Sequence, residues 1–184
     1  MCGRYYIDLY TIRKVTRNKK IDFPVSDIYP GQFPLVLNKD LKCMRMEWGM
    51  VAFGKRIINA REETVDQKPF FKEDWQKRKC VIPAKGFYEW DPHSNKYYFY
   101  TDDILYMAGI YNEKNQFVIL TTKANDSIKE IHNRMPWILK EEELKNWFNQ
   151  NTKMNVSDSI ELKSICPYKP VSYTHLTLPT ICSV

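Results

Sequence analysis

Cys80-Val81-Ile82-Pro83-Ala84-Lys85-Gly86-Phe87-Tyr88-Glu89-Trp90 is the stretch on which the fold turns. Its first four residues open a strand, which resumes from Gly86 to Trp90. The residues beyond it repeat the theme. Residues 96–101 and 105–111 are aromatic-rich strands separated by Asp102-Asp103, and residues 117–122 are a short apolar run suited to a central strand.

Upstream, residues 2–8 read as a first strand with Tyr5 and Ile7 on one face and Arg4 and Tyr6 on the other. Residues 9–20 are basic and predict a short helix or loop. Two prolines and a glycine make residues 28–34 a structured turn before a strand at Leu35-Val36-Leu37. Asn38-Lys39-Asp40 is a hairpin turn. Residues 42–51 then alternate Cys43, Arg45 and Glu47 against Met44, Met46 and Trp48, as a half-buried strand does. Asn59-Ala60-Arg61-Glu62-Glu63 marks the start of a loop or helix. Residues 69–79 predict a helix with Phe70, Phe71 and Trp75 roughly on one side.

Toward the end, Ser127-Ile128-Lys129-Glu130 matches a capping box. Its helix must stop by Pro136, which puts His132 near the last turn. Residues 141–150 form a second amphipathic helix carrying Leu144, Trp147 and Phe148, and residues 159–165 a final strand. Many strands with helices inserted between them indicate an α+β fold: one domain, with a central curved, barrel-like, mainly antiparallel β-structure flanked by short helices. The domain is expected over residues 1–172. Residues 173–184 carry no acidic or basic side chain apart from His175 and no helix or strand period, so they read as sequence foreign to the domain, of cloning or frameshift origin.

The totals narrow the function. At 184 residues the chain suits one domain with a real core. No apolar run approaches the ~18 residues of a membrane span, and no basic stretch followed by an apolar one opens the sequence, so a cytoplasmic protein with no membrane partner is expected. The five cysteines, Cys2, Cys43, Cys80, Cys166 and Cys182, are odd in number and form no CxxC pair, which argues against a disulfide framework. Only two histidines precede the last dozen residues, so neither a metal site nor a cofactor is expected. The net charge of +6 is a mild excess compatible with a phosphate-bearing partner.

Five sets of residues can carry chemistry. If Met1 is removed, Cys2 holds a free α-amine beside its thiol, a 1,2-aminothiol that condenses with an aldehyde to an imine and then closes a thiazolidine ring. The amine, with an ordinary pKa of roughly 7.7–8.0, has a neutral fraction near pH 7, and a thiol near ~8.5 needs modest help to ionise. Glu89, flanked by aromatics at a strand end, becomes a proton donor or acceptor near neutral pH if buried. A helix C-terminus would favour the cationic form of His132. Asn59 can orient a substrate or the terminal amine through its amide, while Arg61 offers a two-toothed fork to phosphate. Trp48 and Trp90 can stack on bases. Each has a plain structural alternative: chance, capping, a surface charge or a core aromatic.

Taken together the blocks point one way. Met1-Cys2-Gly3-Arg4-Tyr5, Trp48-Gly49, Asn59-Ala60-Arg61-Glu62-Glu63, the Cys80–Trp90 stretch, Thr121-Thr122-Lys123-Ala124-Asn125 and His132-Asn133-Arg134-Met135-Pro136 stand in the order seen in one family. Over residues 1–172 the chain resembles the SRAP family, the SOS-response-associated peptidases, whose members act on abasic sites in DNA. The resemblance implies a mixed α+β domain with a groove for single-stranded DNA. It implies that Cys2 is the nucleophile that crosslinks to the abasic sugar, that Asn59 positions the terminal residue and the sugar, that Glu89 is the acid/base, and that His132 assists opening of the sugar. Arg4 and Arg61 would hold phosphates, with Trp48, Trp90 and Arg134 the further DNA-binding residues. The partner implied is single-stranded DNA containing abasic sites, bound by a monomer in the cytoplasm and, with DNA, at the nucleoid. Weak lyase activity is an expected side reaction. The rival is a thiol peptidase with Cys2 as N-terminal nucleophile, at least autocatalytic for Met1; a third reading is a plain single-strand-binding module.

Overall fold

The computed structural model describes residues 2–19, 23–149 and 160–166. Residues 173–184, read as foreign to the domain, lie outside the described residues, as does Met1. The frame is a 12-stranded mixed sheet. Its spine is the pair β9 (Lys79–Trp90) and β10 (Lys96–Tyr111), joined antiparallel. The interruption expected within β10 is a register shift between Tyr100 and Leu105 inside one continuous strand. Lys85 lets the strand pass through Asp102-Asp103: its Nζ donates to the carbonyls of Thr101 (3.3 Å) and Asp102 (2.9 Å), which the ladder leaves free at such an irregularity.

On one side of the spine, β1 (Tyr5–Ile7) pairs β9 with Tyr5 opposite Phe87, and β2 (Ser26–Ile28) pairs β1. On the other, β11 (Gln116–Lys123) pairs β10 and then β12 (Arg134–Pro136). Strands β3 (Leu35–Leu37) and β4 (Cys43–Arg45) form the expected hairpin, in which Asn38 Oδ1 accepts from the backbone N–H groups of Asp40 and Lys42. The single strand expected over residues 42–51 is broken into β4, β5 (Glu47–Trp48) and β6 (Met50–Ala52). The break falls at Gly49, whose φ of +111° turns the chain from β5 on β11 to β6, which pairs β7 (Lys55–Ile57) in a separate two-stranded ribbon. Residues 59–61, expected to begin a loop or helix, are strand β8 (Asn59–Arg61), parallel to β11.

Alternation along the central strands splits the apolar side chains between two faces. Ile82, Met107, Phe117 and Ile119 join Tyr5, Ile7 and Trp48 on one. Val81, Ala108, Val118 and Leu120 face the other way, onto Phe71 and Trp75 of α2 (Pro69–Lys77) and Leu144 and Trp147. The helix expected at 141–150 is a 3-10 turn, Glu141–Glu143, continued by α3 (Leu144–Asn149). Trp75, Trp137 and Trp147 interlock there at centroid distances of 5.2–6.4 Å. The first helix, α1 (Leu9–Val15), is capped by Asp8, which accepts from Thr11 N–H at 2.8 Å. Strand β13 (Ile138–Leu139) and the last described strand, β14 (Lys163–Ile165), both pair β10.

Candidate active site

The residues before β1 run beside β9. The ladder begun at Tyr5 continues toward Cys2, with the Tyr88 N–H donating to the Arg4 carbonyl at 2.9 Å. Across from this arm stands Asn59. Its place is set by the core: Trp48 Nε1 donates to the Ile58 carbonyl at 3.1 Å, and that carbonyl also takes the Ile119 N–H at 3.1 Å. From there Asn59 Nδ2 donates to the Cys2 carbonyl at 2.9 Å. Asn59 Oδ1 is buried without a hydrogen-bond partner.

Glu89 shares the inward face of β9 with Phe87 and is 2 % exposed. Burial pushes its carboxyl above the usual range, against nearby positive charge that includes His132. His132 Nε2 lies 3.9 Å from Glu89 Oε2. At its other ring nitrogen, Nδ1 is 3.0 Å from the Arg134 backbone N–H, which donates to it, and 2.9 Å from the Arg134 carbonyl. A neutral ring therefore finds a donor there and a charged ring an acceptor, both from one residue.

The expected helix ending at His132 is absent. Residues 126–131 are turns, because Asn125 Oδ1 takes the Ser127 N–H (3.0 Å) and the Ser127 hydroxyl accepts from Leu162 N–H (3.1 Å) instead of capping. No helix terminus therefore stands at His132. The thiol also departs from expectation. Cys2 is fully buried, its Sγ 3.8 Å from the Arg4 carbonyl. Burial first, and the charge of Glu89 second, push the thiol well above its usual range. It is a protonated thiol, not a ready thiolate.

The residues assigned to DNA divide. Trp48 is fully buried and stacked on Phe117 at 6.3 Å. Arg4 is paired with Asp27 and sandwiched by the rings of Tyr29 (4.9 Å) and Tyr88 (4.7 Å). Arg134 is forked onto Glu63 and also donates to the Thr121 carbonyl at 2.5 Å. Arg61 stands exposed on β8, and Trp90 is 37 % exposed at the end of β9. Reading by residue type missed Asp27 and Glu63, the two carboxylates that occupy the arginines. Glu63 closes the block that begins at Asn59, but nothing local in the sequence marks which arginine it meets. Among the described residues no three His, Cys, Asp or Glu side chains gather as a metal site, and no helix is long and apolar enough to cross a membrane.

Comparison with known proteins fits this arrangement. Residues 1–177 match the family model described as SOS response associated peptidase (SRAP). The abasic site processing protein YoqW of Bacillus subtilis is 31 % identical over 162 residues, covering 74 % of this chain and 72 % of that protein. The abasic site processing protein YoaM of the same organism is 28 % identical, covering 88 % and 86 %. A crystal structure of a protein from Bacteroides thetaiotaomicron superposes with a TM-score of 0.68 at 23 % identity, over 89 % of this chain and 90 % of that one, a likeness of fold.

Proposed function

The chain belongs to the SRAP family, and on that premise we propose that it processes abasic sites, capturing them in single-stranded DNA as a thiazolidine on Cys2 once Met1 is removed. The substrate class comes from relatives named abasic site processing proteins. The observation that carries the reading is the pinning of Cys2, through its carbonyl, by Asn59 at 2.9 Å, with the thiol within the electrostatic influence of buried Glu89.

The ring-opened abasic sugar presents an aldehyde. The α-amine nitrogen of Cys2 adds to the aldehyde carbon, and loss of one water gives an imine. Glu89, its carboxyl pushed above the usual range by burial, donates a proton to the departing oxygen and leaves the imine protonated. The Cys2 sulfur then adds to the protonated imine carbon, its proton passing to Glu89 as the C–S bond forms, which restores the acid that gave a proton to the water. No electrons are gained or lost overall, and one water is released. His132, 3.9 Å from Glu89, relays protons to the sugar hydroxyls. Exposed Arg61 and Trp90 provide a phosphate contact and a stacking face at the rim.

The buried, high-pKa thiol weighs against the rival peptidase reading, which needs an exposed thiolate for acyl transfer. Thiazolidine closure needs the thiol only after the amine has delivered the carbon to it.

Intact-protein mass spectrometry tests the proposal, before and after incubation with a single-stranded oligonucleotide carrying one abasic site. A starting mass lacking Met1, followed by an adduct stable to heat and detergent, is expected. A protein without Met1 that forms no adduct refutes it.

A further inference from the structure

Glu63 is the carboxylate on which the His132 side of the site is built. It receives both terminal nitrogens of Arg134, with Nη2–Oε2 at 2.9 Å. The same Nη2 is 2.5 Å from the Thr121 carbonyl and 3.3 Å from the Thr121 hydroxyl, so the guanidinium ties β11 to the turn after β8. Its side chain is only 11 % exposed. The backbone of this arginine is what His132 Nδ1 rests on, with the N–H at 3.0 Å and the carbonyl at 2.9 Å. However that nitrogen is protonated, one hydrogen bond to this backbone holds the ring whose Nε2 faces Glu89, and Arg134 is fixed in turn by Glu63. The forked pairing holds the Glu63 carboxyl below its usual range, aided by the charge of Arg61.

We propose that Glu63 is a positioning residue for the abasic-site reaction, acting through Arg134 to hold His132 on Glu89. This rests on the function proposed above. It also gives Arg134 a different task from the one assigned by resemblance. In this reading Arg134 is a strut that orders the His132 turn, its guanidinium paired with Glu63. The turn that carries His132 is not a helix: residues 126–131 are held by local turn bonds, and the Glu63 fork and the Thr121 carbonyl add a side-chain strut to the β11–β12 pairing that holds the Arg134 backbone.

The test compares Glu63→Ala, Glu63→Gln and the wild type in two readouts. The first is the crosslinking rate at saturating single-stranded abasic oligonucleotide, followed from pH 5 to pH 9. Loss of ring placement on the scale of 1 Å lowers the rate by ~10- to 100-fold. Glu63→Ala is expected to show that loss with a shifted pH profile, and Glu63→Gln, which keeps one acceptor for the fork, to recover part of it. The second readout uses no DNA. In protein with 15N-labelled histidine, the His132 ring nitrogens are expected to report one fixed tautomer in the wild type, and an averaged pair of tautomers in Glu63→Ala. If Glu63→Ala does not fold, Glu63→Gln carries both arms, with a rate below the wild type and a loosened tautomer expected.

An unchanged tautomer together with an unchanged saturating rate overturns the proposal. So does tighter DNA binding with the rate intact, which would make Glu63 only a stand-in for phosphate on Arg134. A wild type that forms no adduct defeats the function proposed above, while the histidine spectra still judge the strut.

Discussion

Asn59→Ala separates the architecture of the site from the stability of the fold. The substitution deletes the 2.9 Å hydrogen bond to the Cys2 carbonyl and leaves that carbonyl short of a donor, a cost of ~1–3 kcal/mol. It also removes Asn59 Oδ1, which is buried without a partner and carries a desolvation penalty of similar size, ~1–3 kcal/mol. The two terms offset, so net stability should change by no more than ~1 kcal/mol, or ~2–4 °C in Tm for a chain of this length. The reaction gains nothing from that cancellation. Without its anchor the aminothiol samples orientations in which amine and thiol no longer meet the aldehyde carbon together, and the rate falls by ~10- to 100-fold. The assay is paired: a thermal melt, and a time course of adduct formation by intact mass. Asn59→Asp is the control. It sets an acceptor against the Cys2 carbonyl and should lower Tm by more than the alanine does, along with the rate. If the Asn59→Ala rate is unchanged, or falls only in step with a large loss of Tm, the anchor argument is refuted.

Burial and charge set three further outcomes. Glu89→Gln should raise Tm at pH 7 while slowing adduct formation. The folded carboxyl is pushed above its unfolded value, so its contribution is fully present in acid and lost as the pH rises through the folded pKa; the advantage of glutamine should therefore vanish below about pH 4.5, as melts across pH will show. Cys2 should resist iodoacetamide in the native protein lacking Met1 and react on unfolding, read as one carbamidomethyl at the terminal peptide; rapid native alkylation would contradict the buried, protonated thiol. Trp147→Ala removes a ring packed on Trp75 at 5.7 Å and Trp137 at 5.2 Å and a 3.1 Å hydrogen bond to the Cys80 carbonyl, so denaturant unfolding should report a loss of ~3–5 kcal/mol.

What the sequence made legible has a common physical root. Strand faces could be read wherever burial alternates, as with Tyr5 and Ile7 inward and Arg4 and Tyr6 half-exposed. Helices α2 and α3 could be read because each carries its own apolar stripe. The misreadings share another root, a distant partner overriding a local signal. Ser127 looks like a cap until Leu162, 35 residues on, takes its hydroxyl. Asn59 looks like the start of a loop until β11 takes β8 in parallel. Asp102-Asp103 looks like a break until Lys85 covers the free carbonyls. The site itself shows the same division. Cys2, Asn59, Glu89 and His132 could be named from their chemistry, but the protonated state of the thiol and the pairing of the arginines depend on burial and on contacts between distant segments.

The pairing of the arginines fixes how binding should depend on salt. The resemblance offers Arg4 and Arg61 as phosphate grips and Arg134 as a further DNA-binding residue. In the fold Arg4 is neutralised by Asp27 and Arg134 by Glu63, while Arg61 stays exposed. Each phosphate neutralised on a single strand adds about 0.7 to the slope of log K against log salt. Arg61→Ala should therefore lower that slope by about 0.7. Arg134→Gln should leave the slope where it was while slowing the reaction, because it withdraws the strut beneath His132 and no counterion is tied to it. Fluorescence anisotropy of a labelled abasic oligonucleotide on Cys2→Ala protein, in which no bond can trap the complex as a thiazolidine, measures both slopes at equilibrium. An equal drop for both variants would mean that phosphate displaces Glu63 from Arg134, and the distinction between grip and strut would fail.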